Sequence, residues 1–222
     1  MLNIGVLAST RATDMQAVID AIISRKLNAR ISVVISDKQD SYALERAKNN
    51  KLKSVFIAPK KFEVKNNGEK DNQKSRESFD KAVSKILDKS KVELILLIGY
   101  MRYLSPWFVN KYKNRIMNIH PSLLPKYAGG MDKNVHEEVL KKKERTTGAT
   151  LHFVDEGSDT GPIILKKEVK IDRNETVGSL KEKVQKAEQE IIVKAIDLYE
   201  KSRIKVENNT VIINEHNKTK GS

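Results

Sequence analysis

The 222 residues include no cysteine. Disulfides and thiolate metal sites are therefore both excluded. Aromatic residues are scarce, at 5% of the chain, which weighs against a stacking platform for single-stranded nucleic acid. No apolar run approaches the ~20 residues needed to span a bilayer. Met1-Leu2-Asn3-Ile4 carries no basic region ahead of an apolar stretch, so no signal peptide is expected and a cytoplasmic location is. The polar loop after the first apolar run, Ser9 to Asp14, lacks the glycines of a dinucleotide fingerprint. That argues against a nicotinamide cofactor. No His/Asp/Glu cluster makes a convincing metal site. His152 with Asp155 and Asp159 could be drawn as one, but a strand histidine packed near a site explains it better.

What is present is an ordinary globular composition, 39% hydrophobic and 32% charged. The length suits one large domain with a real core. The net charge of +13 favours anionic partners. Its lysines are dispersed and mixed with glutamates, as in Lys181-Glu182-Lys183, which reads as a solvated surface rather than a nucleic-acid footprint.

Apolar runs and helical spacings alternate along the chain. Leu2 to Ala8 reads as a buried parallel strand. Met15 to Ser24 has helical spacing, with Met15, Val18, Ile19, Ile22 and Ile23 on one face. Strands follow at Ala29 to Ser36, Ser54 to Ala58 and Val92 to Ile98, with helices at Tyr42 to Asn49 and Arg76 to Lys89. Lys60 to Lys74, rich in lysine and containing Asn66-Asn67-Gly68, reads as a flexible surface loop. Ser105 and Pro106 suit the N-cap and first turn of a helix ending near Tyr112. This alternation predicts an α/β fold: a Rossmann-like, doubly wound, mostly parallel sheet with helices on both faces. The later elements suggest an antiparallel part: a helix at Val135 to Lys143, strands at Thr147 to Asp155 and Ile163 to Ile171, a long helix from the Thr176 cap to about Ser202, and a hairpin turning at Asn208-Asn209. One domain over 1–213 is expected, with halves meeting near residue 98, and a frayed tail over 214–222.

Asn118-Ile119-His120-Pro121-Ser122-Leu123-Leu124-Pro125 stands out. It leaves the short apolar run Arg115-Ile116-Met117. Pro121 disfavours the helical region for His120 and holds it extended or in a turn. The alternate spacing puts the Asn118 amide and the His120 imidazole on one face, at a strand's carboxyl end, where open α/β sheets bind ligands. Further on, Glu156-Gly157-Ser158-Asp159-Thr160-Gly161-Pro162 is a tight loop that can present Asp159 rigidly.

Three segments together resemble the phosphoribosylglycinamide formyltransferases. They are Gly99-Tyr100-Met101-Arg102-Tyr103-Leu104-Ser105-Pro106, then Asn118 to Tyr127, then His152 to Ile164. The resemblance covers Asn3 to about Ile213. It implies transfer of a formyl group from 10-formyltetrahydrofolate, the co-substrate, to the amine of glycinamide ribonucleotide, without a metal. It implies Asn118, His120 and Asp159 as the catalytic trio, with Asp159 raising the pKa of His120 toward imidazolium. Ala12, Thr13 and Asp14 match the segment that binds the substrate phosphate. Many members have glycine at Ala12, and some have asparagine at Asp14. Ala12 is expected to hold negative φ, and Asp14 to cap the helix and point away. Gln185 and Glu188 match the positions that hold the ribose and amine. Arg76, Met101, Arg102, Tyr103, Leu104 and Asn118 match folate contacts.

The partners implied are these two small molecules, with neither nucleic acid nor membrane. The oligomeric state is left between monomer and homodimer. Among relatives of the same fold, methionyl-tRNA formyltransferases carry a further C-terminal domain, and formyltetrahydrofolate hydrolases an N-terminal one. The chain's extent sets both aside as expectations. A sugar-amine formyltransferase is the alternative within the fold. A basic nucleic-acid-binding protein, showing salt-steep binding, is the alternative outside it.

Overall fold

The computed structural model describes residues 1–66, 69–129 and 134–214. Seven strands form one sheet: β1 (Leu2–Leu7), β2 (Ala29–Ser36), β3 (Ser54–Phe56), β6 (Leu94–Leu97), β7 (Ile116–His120), β8 (Thr146–Phe153) and β9 (Ile163–Lys170). Their order is β3-β2-β1-β6-β7-β8-β9. Pairing is parallel from β3 through β7. It turns antiparallel at β7–β8 and β8–β9. The strand order reverses direction between β1 and β6. Such a switch point opens a crevice at the carboxyl ends of its strands.

Alternation along the central strands divides the core in two. Ile4 and Val6 face α1 (Thr13–Ile23) and α6 (Val177–Glu200), packing with Met15, Val18, Leu180 and Ile191. Leu7, Val33 and Ile35 face the other way, toward Phe79, Val83 and Leu87 of α3 (Asn72–Lys89) and Phe108 of α4 (Pro106–Lys111). The runs of β1 and β6 are apolar on both faces because helices cover both. Two shorter helices, α2 (Tyr42–Asn49) and α5 (Val135–Lys141), complete the set.

Helix starts follow their capping residues. Ser105 Oγ accepts from the Phe108 N–H at 3.3 Å. Thr176 and Ser179 form a reciprocal capping box at the start of α6. The C-terminal hairpin pairs β10 (Ile204–Glu207) with β11 (Thr210–Ile213). Asn208 and Asn209 both adopt positive φ at its turn, the demand of a two-residue hairpin loop. Asn214 still bonds back, its N–H to the Arg203 carbonyl at 2.9 Å; the rest of the expected tail, 215–222, lies outside the described residues.

One expectation is overturned. Lys60 to Lys74 is not a loop. A 3-10 turn spans Pro59–Phe62, and β4 (Val64–Asn66) pairs antiparallel with β5 (Glu69–Asp71). α3 already begins at Asn72, where Asp71 accepts from the Lys74 N–H at 2.9 Å. Ser75 ties the hairpin to the helix, since its Oγ accepts from the Val64 N–H at 2.8 Å. Asn67 and Gly68 lie outside the described residues.

Candidate active site

On β7, Asn118 and His120 share the face turned toward α3 and α4, on the same side as Ile116. The antiparallel register sets Asn118 opposite His152 and His120 opposite Thr150. Directly opposed residues bring their side chains together, and the Asn118 Nδ2 lies 3.1 Å from the His152 Nε2. The other His152 nitrogen, Nδ1, lies 2.8 Å from the Phe153 carbonyl. A carbonyl can only accept, so Nδ1 carries the proton. Nε2 faces both the Asn118 Nδ2 and, at 3.5 Å, the Asp159 Oδ1.

Asp159 arrives from the loop between β8 and β9. Asp155 organises that loop, its Oδ1 accepting from the Gly157 N–H at 3.1 Å and the Thr160 hydroxyl at 2.7 Å. A Cβ on Gly161 would sit 1.9 Å from the Phe153 carbonyl oxygen, so only glycine lets the two loop ends close. Asp159 itself has φ +58, a left-handed conformation that aspartate tolerates better than most residues. Its Oδ1 accepts from the Asn118 Nδ2 at 3.3 Å. Its Oδ2 accepts from the Gly129 N–H at 3.0 Å and lies 3.3 Å from the His120 Nδ1. Asn118, His120 and Asp159, the three residues brought forward by the resemblance, thus converge.

The electrostatics differ from expectation. Burial pushes the Asp159 carboxyl up, but the His152 contact, the facing His120 and the Gly129 N–H outweigh it and hold the group at about 2. His120 does not rise. Burial pulls its imidazole below the ordinary histidine value, more strongly than the Asp159 carboxylate and the Tyr127 carbonyl lift it. The His120 side chain is only 10% exposed, so desolvation of the charged ring is the larger effect.

The second cluster lies at the start of α1, across the switch point. The loop before the helix is clamped. The Thr10 carbonyl accepts from the Ala43 N–H at 3.2 Å and the Ser41 hydroxyl at 2.9 Å. Ala12 in this loop sits at φ 45, ψ 51, in the left-handed region. This overturns the expectation of negative φ: the residue takes the conformation that glycine would adopt freely. Asp14 also departs from expectation. It does not cap the helix, whose N-cap is Ala12 with no side-chain cap bond. It is 6% exposed and its Oδ1 has no hydrogen-bond partner. Burial, partly offset by its own backbone N–H and Arg46, holds its carboxyl at about 6.

Gln185 and Glu188, one turn apart on α6, face this loop. The Gln185 amide donates to the Thr13 hydroxyl. Burial raises the Glu188 carboxyl well above its usual range, and the Asp14 carboxylate adds to the rise.

The third cluster follows β6. Ser9 joins it to the second: its N–H donates to the Gly99 carbonyl at 3.1 Å, and its Oγ accepts from the Met101 N–H at 2.8 Å. Gly99 has φ +59, and a Cβ there would meet the Thr10 Oγ1 at 2.1 Å. Met101 and Tyr103 present 40% and 48% of their surface, while Arg102 and Leu104 are half-buried. Arg76 reaches this segment from α3, its guanidinium 5.8 Å from the Tyr103 ring centre. Sequence reasoning left two contributors unassigned, His152 and the Gly129 N–H. Among the described residues, no group of three or more His, Asp or Glu side chains is arranged to hold a metal ion.

The formyl transferase family model matches residues 2–196. The trifunctional purine biosynthetic protein adenosine-3 of Chironomus tentans is 40% identical over 88% of the chain, which spans only 13% of that much longer protein. The phosphoribosylglycinamide formyltransferase of Haemophilus influenzae is 34% identical, with 94% of this chain and 92% of the relative aligned. Among solved structures, glycinamide ribonucleotide transformylase 1 from Symbiobacterium toebii superposes with a TM-score of 0.86 at 34% identity, covering 96% of this chain and 94% of that one. This chain belongs to the formyl transferase family, alongside the phosphoribosylglycinamide formyltransferases.

Proposed function

We infer that the protein transfers the formyl group of 10-formyltetrahydrofolate to the amine of 5-phosphoribosylglycinamide, releasing tetrahydrofolate and formylglycinamide ribonucleotide. The observation that carries this reading is the meeting of Asn118, His120 and Asp159 beside two further clusters, one on each strand of the switch point. One cluster suits a phosphate: the start of α1 offers main-chain N–H groups to an anion. The other, Met101 to Leu104, offers exposed backbone and apolar side chains to a flat heterocycle.

In the reaction, the amine nitrogen bonds to the formyl carbon and the formyl oxygen takes on negative charge. Asn118, whose Nδ2 faces His152 Nε2 and Asp159 Oδ1, releases one of these partners and turns that N–H toward the oxygen. His120, uncharged at rest because it is buried, becomes favourable to protonate as the negative charge grows beside it. Asp159, ionised throughout, sits opposite the resulting imidazolium. The carbon–nitrogen bond to the folate then breaks. The proton shed by the attacking nitrogen passes through His120 or water to the leaving nitrogen. Stabilising the oxyanion with fixed donors of this kind is worth roughly 10²–10³ in rate.

The test is direct. The protein is incubated with formyl folate and glycinamide ribonucleotide, with amino sugars in parallel, and folate absorbance is followed. Turnover with the ribonucleotide is expected. Turnover with amino sugars alone would overturn the assignment.

A further inference from the structure

Asp80 lies on α3, 1% exposed. Its Oδ2 accepts from the Ser105 N–H at 2.6 Å. A neutral amide or hydroxyl would satisfy that N–H at a smaller desolvation cost, because burying a carboxylate is far more expensive than burying a neutral acceptor. Burial accordingly holds the Asp80 carboxyl at about 6, against the pull of Ser105, Arg102 and Arg76. The site therefore carries an acidic group whose charge its backbone partner does not require.

The two arginines account for the charge. Arg76 is one turn before Asp80 on the same helix, so both point to the same side. Arg102 lies on the segment after β6, its guanidinium 4.3 Å from the centre of the Phe79 ring. Phe79, the residue before Asp80, is in turn held edge-on by Phe62 at 5.7 Å. Arg76 lies over Tyr103 in the same manner. Arg102 Nε is buried with no hydrogen-bond acceptor, and the Asp80 carboxylate attracts that guanidinium. The Met101–Leu104 segment is thereby fixed at both ends: Ser9 binds the Met101 N–H, and Asp80 binds the Ser105 N–H. The two arginines that attract Asp80 lie beside Tyr103 and Phe79.

We propose that Asp80 is a positioning residue for the folate subsite, setting the main chain of Met101–Leu104 and the guanidiniums of Arg76 and Arg102 without touching the ligand itself. This rests on the reading of that segment as the folate site. Arg binds planar anionic groups through a rigid fork, so misplacing it costs binding rather than chemistry.

Asp80→Asn keeps the shape and an acceptor for the Ser105 N–H while removing the charge. Its Michaelis constant for formyl folate should rise about tenfold, the scale of one charge-assisted contact, with kcat at saturation and the constant for the ribonucleotide nearly unchanged. The dissociation constant for tetrahydrofolate, measured by calorimetry, should rise in step, while the thermal midpoint does not fall, since the buried charge is relieved. Asp80→Ala should weaken folate binding further, and Asp80→Glu should restore part of it. Equal weakening toward both substrates in Asp80→Asn would mark a merely structural role and overturn the proposal. Unchanged folate binding in Asp80→Asn, with the wild type binding normally, would overturn it alone. A wild-type protein that binds no folate would overturn it together with the activity reading.

Discussion

The His120 Nδ1 lies 3.3 Å from the Asp159 Oδ2, while the Nε2 of the same ring lies 3.0 Å from the Tyr127 carbonyl. Both ring nitrogens face oxygen acceptors. Only a doubly protonated imidazole satisfies both, yet burial disfavours that form. The ring is held in surroundings shaped for a charge it does not carry at rest. On the proposed function, it gains that charge when the formyl oxygen becomes negative.

Asp159→Asn removes the counter-charge and leaves the shape. Burial then acts on His120 nearly unopposed, and its pKa falls further. Turnover at pH 7 should drop by about 10³, as for loss of a preorganised charge in other acyl transfers. Far-ultraviolet dichroism should be unchanged. Single-turnover rates within a few-fold of wild type would refute the role.

Asp14 has a folded pKa of about 6, above its usual 3.8. A carboxyl raised on folding contributes stability below its unfolded value and loses it as pH rises through the folded one. Asp14→Asn should therefore stabilise the protein at pH 8, by at most about 3 kcal/mol. The gain should shrink below pH 6 and vanish near pH 4. Urea unfolding at these pH values measures it, and a gain that grows on acidification would contradict the assignment.

Ala12 pays for its left-handed backbone, since an L-residue with a Cβ loses roughly 1–2 kcal/mol there. Ala12→Gly should recover about 1 kcal/mol, the remainder being offset by the greater freedom of glycine when unfolded. The denaturant midpoint should rise, and affinity for inorganic phosphate should not fall. A lower midpoint would mean that the loop relaxes in solution.

Much of this architecture could be read from residue order, because the strongest signals are local. The apolar run in β6, the Thr176 and Ser105 caps, and the alternation of Asn118 with His120 each depend on neighbours a few residues apart. The Lys60 to Lys74 region was misread for the opposite reason. Its strands are three residues each and rich in lysine and asparagine, and what orders them is Ser75 on the following helix. The positive φ of Ala12 lies in a loop held at Thr10 by Ser41 and Ala43, far along the chain. His152 meets Asn118 only through strand register, which composition does not encode. The sign of the His120 shift depended on how deeply the ring would be buried, and no motif states that.

Ser9 has two bonds, one to Gly99 and one to Met101, and it leads straight into the loop that carries Ala12. It is a rivet through two adjoining plates. Removing the rivet itself loosens both plates together, so a change at this residue reaches both substrates' seats. Ser9→Ala, measured by steady-state kinetics, should shift the Michaelis constants of both substrates at once. That signature is the reverse of the one-sided effect expected at Asp80, and it gives the protein a built-in reason to keep a hydroxyl there.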